Sequence, residues 1–430
     1  MSTVADSRGT SLYIGGTGDT ANGGKGIALV TGAGSAIRMT GSDTFIAVGI
    51  GPQSVGQLTV ADGAEVSAIG MNVGRSGGVG VLALDHGNLN FSGQYTGATL
   101  SGAFLSIGRS GGIGVATLAN GSQLTLSNHG SEGASLNLGG TGPGPLGDGT
   151  LTVSGGSRIV VDAAPGLATL SVGRDGSALM RVKGGSTVDV GDGNTFVGRL
   201  KGSDGTLLIS EHSALSTGWL GVGRNRTATG DVDGGTGTLV LINSTLTARD
   251  IVIGTNGFLG GNGTIVGSVV NHGIFSPGTS PGTMVIDGDY RSDATARLIL
   301  EVEDDGHGGF VTDHVVFTAG HAVDLSDLKV EFRFLAHTDP TRFQASGQFD
   351  TDHFFQLKAA DGSLGTLSDA VFASAQFSAT AADYSLANFS YTTASGASFT
   401  ATPVPEPASW ALLAAGVLGL AWRARRMQAR

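Results

Sequence analysis

The chain has 430 residues, of which 75 are glycine and none is cysteine; 14% are charged and the formal net charge is -11. Without cysteine there is no disulfide scaffold and no thiolate-ligated zinc or iron–sulfur centre. The acidic balance argues against a nucleic-acid partner, because phosphate contacts need a basic face.

A hydrophobic content of 40% argues against disorder. Glycine at more than twice its usual share of roughly 7% disfavours helix and leaves strand and turn. It shows no three-residue period, which excludes collagen. Glycine crowds residues 9–282, whereas 12 of the 18 phenylalanines fall between Phe310 and Phe399.

From the N-terminus, a small unit recurs. It runs as an apolar residue, Gly, often Arg, a Gly-rich turn, a strand, a Gly-Gly-Ser-like turn and a second strand. Clear copies begin at Val73 (VGRSGGVGVLALDHGNLNF), Ile107, Val172, Val197 and Val222, and weaker ones at Ile14, Val48, Leu138 and Ile253. The motif glycines are Gly15, Gly49, Gly74, Gly108, Gly139, Gly173, Gly198, Gly223 and Gly254, spaced 25 to 34 residues apart. A 25-residue unit is too short for a propeller blade of about 40 residues. It fits one coil of short strands, each burying its apolar side only by stacking on the next coil. The fold expected is therefore all-β: a right-handed parallel β-helix over 1–282, about nine units and on the order of 40 Å long at ~4.8 Å per step. GGTGD at Gly15–Asp19 starts like a calcium-binding nonapeptide, but no nine-residue period follows.

SPGTSPG (Ser276–Gly282) breaks the repeat. Beyond it, TMVIDGDY, ARLILEVE, DHVVFTAG, LKVEFRFL and HFFQLK read as strands. Residues 283–402 form either a cap that continues the helix or a small separate β-domain. The stretch Gly257–Tyr290, followed by Leu300–Glu303 and Thr312–Phe317, resembles the end of autotransporter-type passenger β-helices. That resemblance implies the fold and no activity; no long outer-membrane barrel follows in this sequence.

Residues 403–430 have three parts. Val404, Pro405, Glu406 and Pro407 form a stiff non-helical element. Ala408 to Trp422 carry no charge, with Ala408, Trp410, Leu412, Leu413, Val417, Leu418, Leu420 and Trp422 forming a short hydrophobic helix. Its 15 residues are fewer than the roughly 20 of an ordinary spanning helix. Arg423, Arg425, Arg426 and Arg430 then supply a basic stop under the positive-inside rule. This order is similar to the PEP-CTERM sorting signal. The resemblance implies transient anchoring in the inner membrane of a Gram-negative bacterium and cleavage near Val404–Pro407 by an exosortase-type protease. It also implies delivery to the cell surface or matrix of an exopolysaccharide-producing organism. Loss of Glu406 onward removes four Arg and one Glu. Lys+Arg falls from 24 to 20 and Asp+Glu from 35 to 34, so the charge becomes -14. Met1–Arg8 has neither a basic start nor an apolar h-region. The expectation is either that the given start is wrong or that the gene is truncated, with the first coils lost in both cases.

Arg75, Arg109, Arg174, Arg199 and Arg224 follow motif glycines, and Arg174, Arg199 and Arg224 stack as a ladder if coils superpose. One reading is a strip gripping an anionic polysaccharide through the guanidinium fork. The other has each arginine bonding its own turn or pairing with Asp175, Asp192 or Asp204. Glu301, Glu303, Asp304, Asp305, His307, Asp313 and His314 offer calcium-type oxygen ligands or a solvated loop between strands. Asp85, Asp162, Asp175, Asp189, Asp192 and Asp204 are scattered, and no nucleophile elbow, metal-protease or phosphate-loop motif is present. No cofactor, metal or catalytic residue is assigned. The functional expectation is an exported structural or adhesion-type β-helix of the biofilm matrix rather than an enzyme, the alternative being a polysaccharide-binding or polysaccharide-degrading β-helix.

Overall fold

A computed structural model describes residues 11–20, 23–40, 44–93, 102–140, 146–278, 281–392 and 396–404. The chain winds through three flat faces, each a ladder of parallel strands. The first face stacks Leu12–Ile14, Phe45–Ile50, Gly70–Arg75, Ala103–Arg109, Ala134–Leu138, Ala168–Val172 and Asn194–Val197. The second begins at Lys25–Thr31 and the third at Ala36–Arg38. Further along, Thr236–Ile253 contributes to all three faces. Its register shifts between Ile242 and Ser244 and between Thr247 and Asp250 mark the corners. The body is a parallel β-solenoid, as the repeat requires.

Each face points one residue in two inward, so one position of every coil forms a column. On the first face, Val48, Val73, Ile107, Leu138, Val172, Val197, Val222 and Ile253 align and have no exposed surface. Burying an aliphatic side chain of this size contributes about 1.5–3 kcal/mol. Repetition is thus the source of the core: no single coil contains one.

The motif glycines turn the chain from the first face to the second. From Gly15 to Gly223 all eight adopt positive φ, between 62° and 75°. A Cβ there would also overlap backbone of the next coil, as at Gly49 against Val79 and Gly198 against Thr236. Opposite them on the second face lies another column, Gly26, Gly56, Gly80, Gly114 and Gly149, interrupted by Ala178 and resumed by Gly205, Gly237 and Gly257. Between the second and third faces, Ser122, Ser157, Ser186 and Ser213 form a buried column. Ser122, Ser157 and Ser186 each donate their hydroxyl to the carbonyl three residues back. Ser157 and Ser213 also accept an N–H from the preceding coil. That is the role of the Gly-Gly-Ser turns.

The ladders do not stop at 282. Ile274–Pro277, Thr283–Asp287 and Tyr290–Ser292 add one strand to each face, and Arg297–Asp304, His314–Thr318 and Val323–Asp324 another. Lys329–Phe334 and Gln376–Ala381 extend the second face beyond these. The rungs therefore run past the nine repeat units, because after Gly254 aromatic side chains replace the glycine signature. Two short helices, Pro340–Ala345 and Thr351–Phe354, interrupt the region 283–402 that reads as strands. Asp339 and Asp350 cap them through backbone N–H groups. They cover the end of the core together with the hairpin Tyr384–Thr392/Gly396–Pro403. Phe349 is the hub, with ring centroids 4.7 Å from Phe332, 5.2 Å from Phe343 and 6.0 Å from Phe399. The short hydrophobic helix expected over Ala408–Trp422 lies outside the described residues, and among the described residues no helix is long and apolar enough to cross a membrane.

Candidate functional site

Three features stand out from the repetitive body. The first is a stripe of arginines on the outside of the first face. Arg75 and Arg109 are in register. Arg174 and Arg199 occupy neighbouring coils, joined by Leu200 N–H donating to the Arg174 carbonyl. In the coil between Arg109 and Arg174 the arginine position is Gly140, and the Asp175 carboxylate fills the space a side chain there would take. The guanidinium groups lie back over the sheet. Arg109 donates to Asn72 and Arg199 to Ser171, each one coil earlier. Arg199 also covers the Phe196 ring at 4.2 Å. Asn72, Ser106, Asn137 and Ser171 form a buried polar column beneath the stripe. The sequence carries these residues three before the arginine, or its replacement, but their role needed the register to be seen.

The ends of the stripe are neutralised. Arg75 pairs with Asp19 at 2.6 Å, and Arg224 pairs with Asp233 and bonds the Asp231 carbonyl. The latter acids come from the hairpin Arg224–Thr227/Gly230–Asp233, which stands where the other repeat units have a Gly-rich turn. Arg199 also donates to Asn225 and feels the Asp175 charge, while Arg224 pairs with Asp233 of the hairpin. In the middle, burial and the Arg174 charge push Arg199 down to about 10. Burial and Arg75 likewise hold Arg109 below its ordinary value.

The second feature is Asp313, which has no exposed surface. Its carboxylate accepts from Gly282 N–H at 2.8 Å and Glu301 N–H at 2.7 Å. Gly278 packs so close that a Cβ would overlap the Asp313 carboxylate. The SPG turn and the TDHVVF strand of the passenger-like element are therefore one latch. The other acidic residues disperse: Asp304 pairs with Arg342, and Asp305 accepts from His307 and Gly309 N–H within its own loop. Among the described residues no group of three or more His, Asp or Glu is placed to hold a metal ion. His314 and His353 line a half-open hollow of about 310 Å³ with Phe310, Thr312 and Gln348. His353 is tied to Asp350, and burial lowers His314.

Burial pushes Asp313 up to about 7 against the pull of its two N–H donors, with Glu301 adding to the rise. A carboxyl whose folded pKa is raised favours the folded state when protonated. Its contribution is present below the unfolded value near 4 and is lost as pH rises towards 7. At about 1.4 kcal/mol per unit, this amounts to roughly 4 kcal/mol across that window. We expect urea-unfolding free energies of wild type to fall relative to Asp313→Asn between pH 4 and pH 7.5. A constant difference between the two proteins would refute the assignment.

The third feature is the exit of the C-terminal tail. Pro403 is the last residue of the final strand, pairing with Tyr384, and Val404 N–H donates to the Asp383 carbonyl at 2.9 Å. Val404 is exposed. The remaining signal residues, Pro405, Glu406 and Pro407, the hydrophobic run and the arginines at 423, 425, 426 and 430 lie outside the described residues.

A family model described as the PEP-CTERM protein-sorting motif matches residues 403–426, starting at the last residue of the hairpin. No curated protein matches the chain. The motif marks a protein that is exported and sorted by an exosortase, a membrane protein, to the cell surface or the outside.

Proposed function

We propose that the solenoid is a passive, surface-displayed rod, a structural or adhesion-type component of the extracellular matrix of a Gram-negative bacterium. In this reading the hydrophobic tail holds it briefly in the inner membrane before an exosortase removes the signal. The observation that carries the reading is how the rod spends its polar side chains. Three of the scattered acids that a polysaccharide lyase or hydrolase would gather on one face are occupied in local contacts. Asp85 accepts from Asn120, Asp162 meets His129 and Asp189 faces Arg158. Such pairs hold neighbouring coils together and leave a long, regular surface, suited to spacing and adhesion.

The test has two arms. Deleting the gene in its host should weaken cell attachment or matrix cohesion, and complementation should restore both; unaltered attachment and cohesion would sink the reading. Incubating the purified full chain with a panel of acidic and neutral polysaccharides should release neither reducing ends nor unsaturated products. Release of either would replace the rod by an enzyme.

A further inference from the structure

We propose that the middle of the arginine stripe, Arg109, Arg174 and Arg199, binds a carboxylate-bearing polysaccharide lying along the solenoid axis. The argument begins with charge. The hairpin and the Gly15–Asp19 loop bring acids to Arg224 and Arg75. Arg75, Arg109, Arg174 and Arg199 together face two carboxylates, Asp19 and Asp175, so the formal charge of this part of the stripe is 4 - 2 = +2. The stretches 94–101 and 141–145, which flank Arg109 and Gly140 in the chain, contain no charged residue. In a chain of net charge -11 a crowded positive strip stands out. Its members repel one another, and an anion spanning them relieves that repulsion.

Geometry gives the class of anion. Two of the guanidinium groups are seated in advance: Arg109 on Asn72, and Arg199 on Ser171 and the Phe196 ring. Seated forks present their remaining N–H groups without further loss of side-chain freedom, which suits two-point recognition of a carboxylate. The coils advance by about 4.8 Å, close to the advance of one extended pyranose unit. Arg174 and Arg199 then address successive sugar units, and the Gly140 gap places Arg109 two coils from Arg174. A lone oxyanion would use one or two of these groups, whereas a linear polyuronate uses all three.

The experiment titrates the full chain in detergent with an oligogalacturonate long enough to span four coils. The comparison ligands are a neutral oligosaccharide of equal length, an acidic peptide and inorganic phosphate. Arg174→Gln and Arg199→Gln keep the stem that covers the sheet, and thermal unfolding checks each variant's fold. Each substitution should weaken oligogalacturonate binding by about tenfold, the worth of a charge-assisted hydrogen bond, and flatten its salt dependence. Arg224→Gln, whose guanidinium is already neutralised, should change affinity less than twofold. No saturable binding by wild type, an equal loss in Arg224→Gln, or equal affinity for the neutral oligosaccharide would overturn the proposal. So would phosphate or the acidic peptide binding as tightly as the oligogalacturonate.

Discussion

Gly198→Ala unfolds the middle of the rod. Two costs coincide at this corner. The residue sits at φ +69°, where an L side chain costs roughly 1–2 kcal/mol. The added Cβ would also overlap the carbonyl of Thr236 in the next coil, which is backbone that cannot rotate away. Moving Thr236 aside disturbs the in-register ladder Asp204–Ser210 against Thr236–Ile242. It also disturbs the Gly205–Gly237 contact beneath the corner. A combined loss of about 4 kcal/mol or more is expected, at the upper end of what single substitutions do. The control is Gly202→Ala in the adjoining turn: φ is +87°, but no atom lies within 4 Å of the added Cβ. That variant should lose only the conformational part. Limited proteolysis and chemical denaturation of both proteins measure the difference. Equal stability of the two would mean that backbone contact between coils is not what the corner glycine protects.

The coil was legible because stacking makes chemically identical demands on every unit. Gly74, Gly108, Gly173 and Gly198 all answer the same positive-φ corner, and Val73, Ile107, Val172 and Val197 the same inward column. A single sequence shows such repetition without any structure. The glycines at 80, 114, 149 and 205 were equally visible, but which atoms oppose them depends on the register between coils, and their role emerged only there. The continuation past 282 was harder to read. Tyr290, Phe317 and Phe332 fill inward space with rings instead of aliphatic columns, so the rungs lose their shared spelling while keeping their pairing. The short helix at Pro340 had a readable cue in Asp339-Pro340, a cap followed by a proline at the first turn. Its six residues were too few to set up a helical period. At the candidate site the arginine row was legible and its electrostatics were not. Asp19 and Asp233 reach Arg75 and Arg224 from loops whose paths the repeat does not dictate.

Changing Pro405, Glu406 and Pro407 together to alanine should leave the exported chain uncut and membrane-associated, while the wild type is released with its C-terminus at or after Val404. The sorting motif fixes the region of recognition at residues 403–426. The hairpin narrows where the bond can break. Gly396–Pro403 is paired along its length with Tyr384–Thr392, and Val404 is held by the Asp383 carbonyl. Behind that pairing, Phe399 packs on Phe334, Phe349 and Phe389. A protease draws its substrate in as an extended strand. Using residues before Val404 would require stripping the last strand from the cap and exposing those rings, a cost of several kcal/mol at about 25 cal/mol per Å² of apolar surface. Cutting beyond Val404 leaves the cap intact, so the released rod should unfold at the same temperature as the uncut form. The mass of the released protein decides the point: a C-terminus inside Gly396–Pro403 would show that the hairpin opens during processing. The stiff prolines then have a structural reason. Pro405 and Pro407 have no backbone N–H, so neither can donate to a continuing hairpin ladder. The described hairpin thus runs to Val404, one residue before the first proline of the signal.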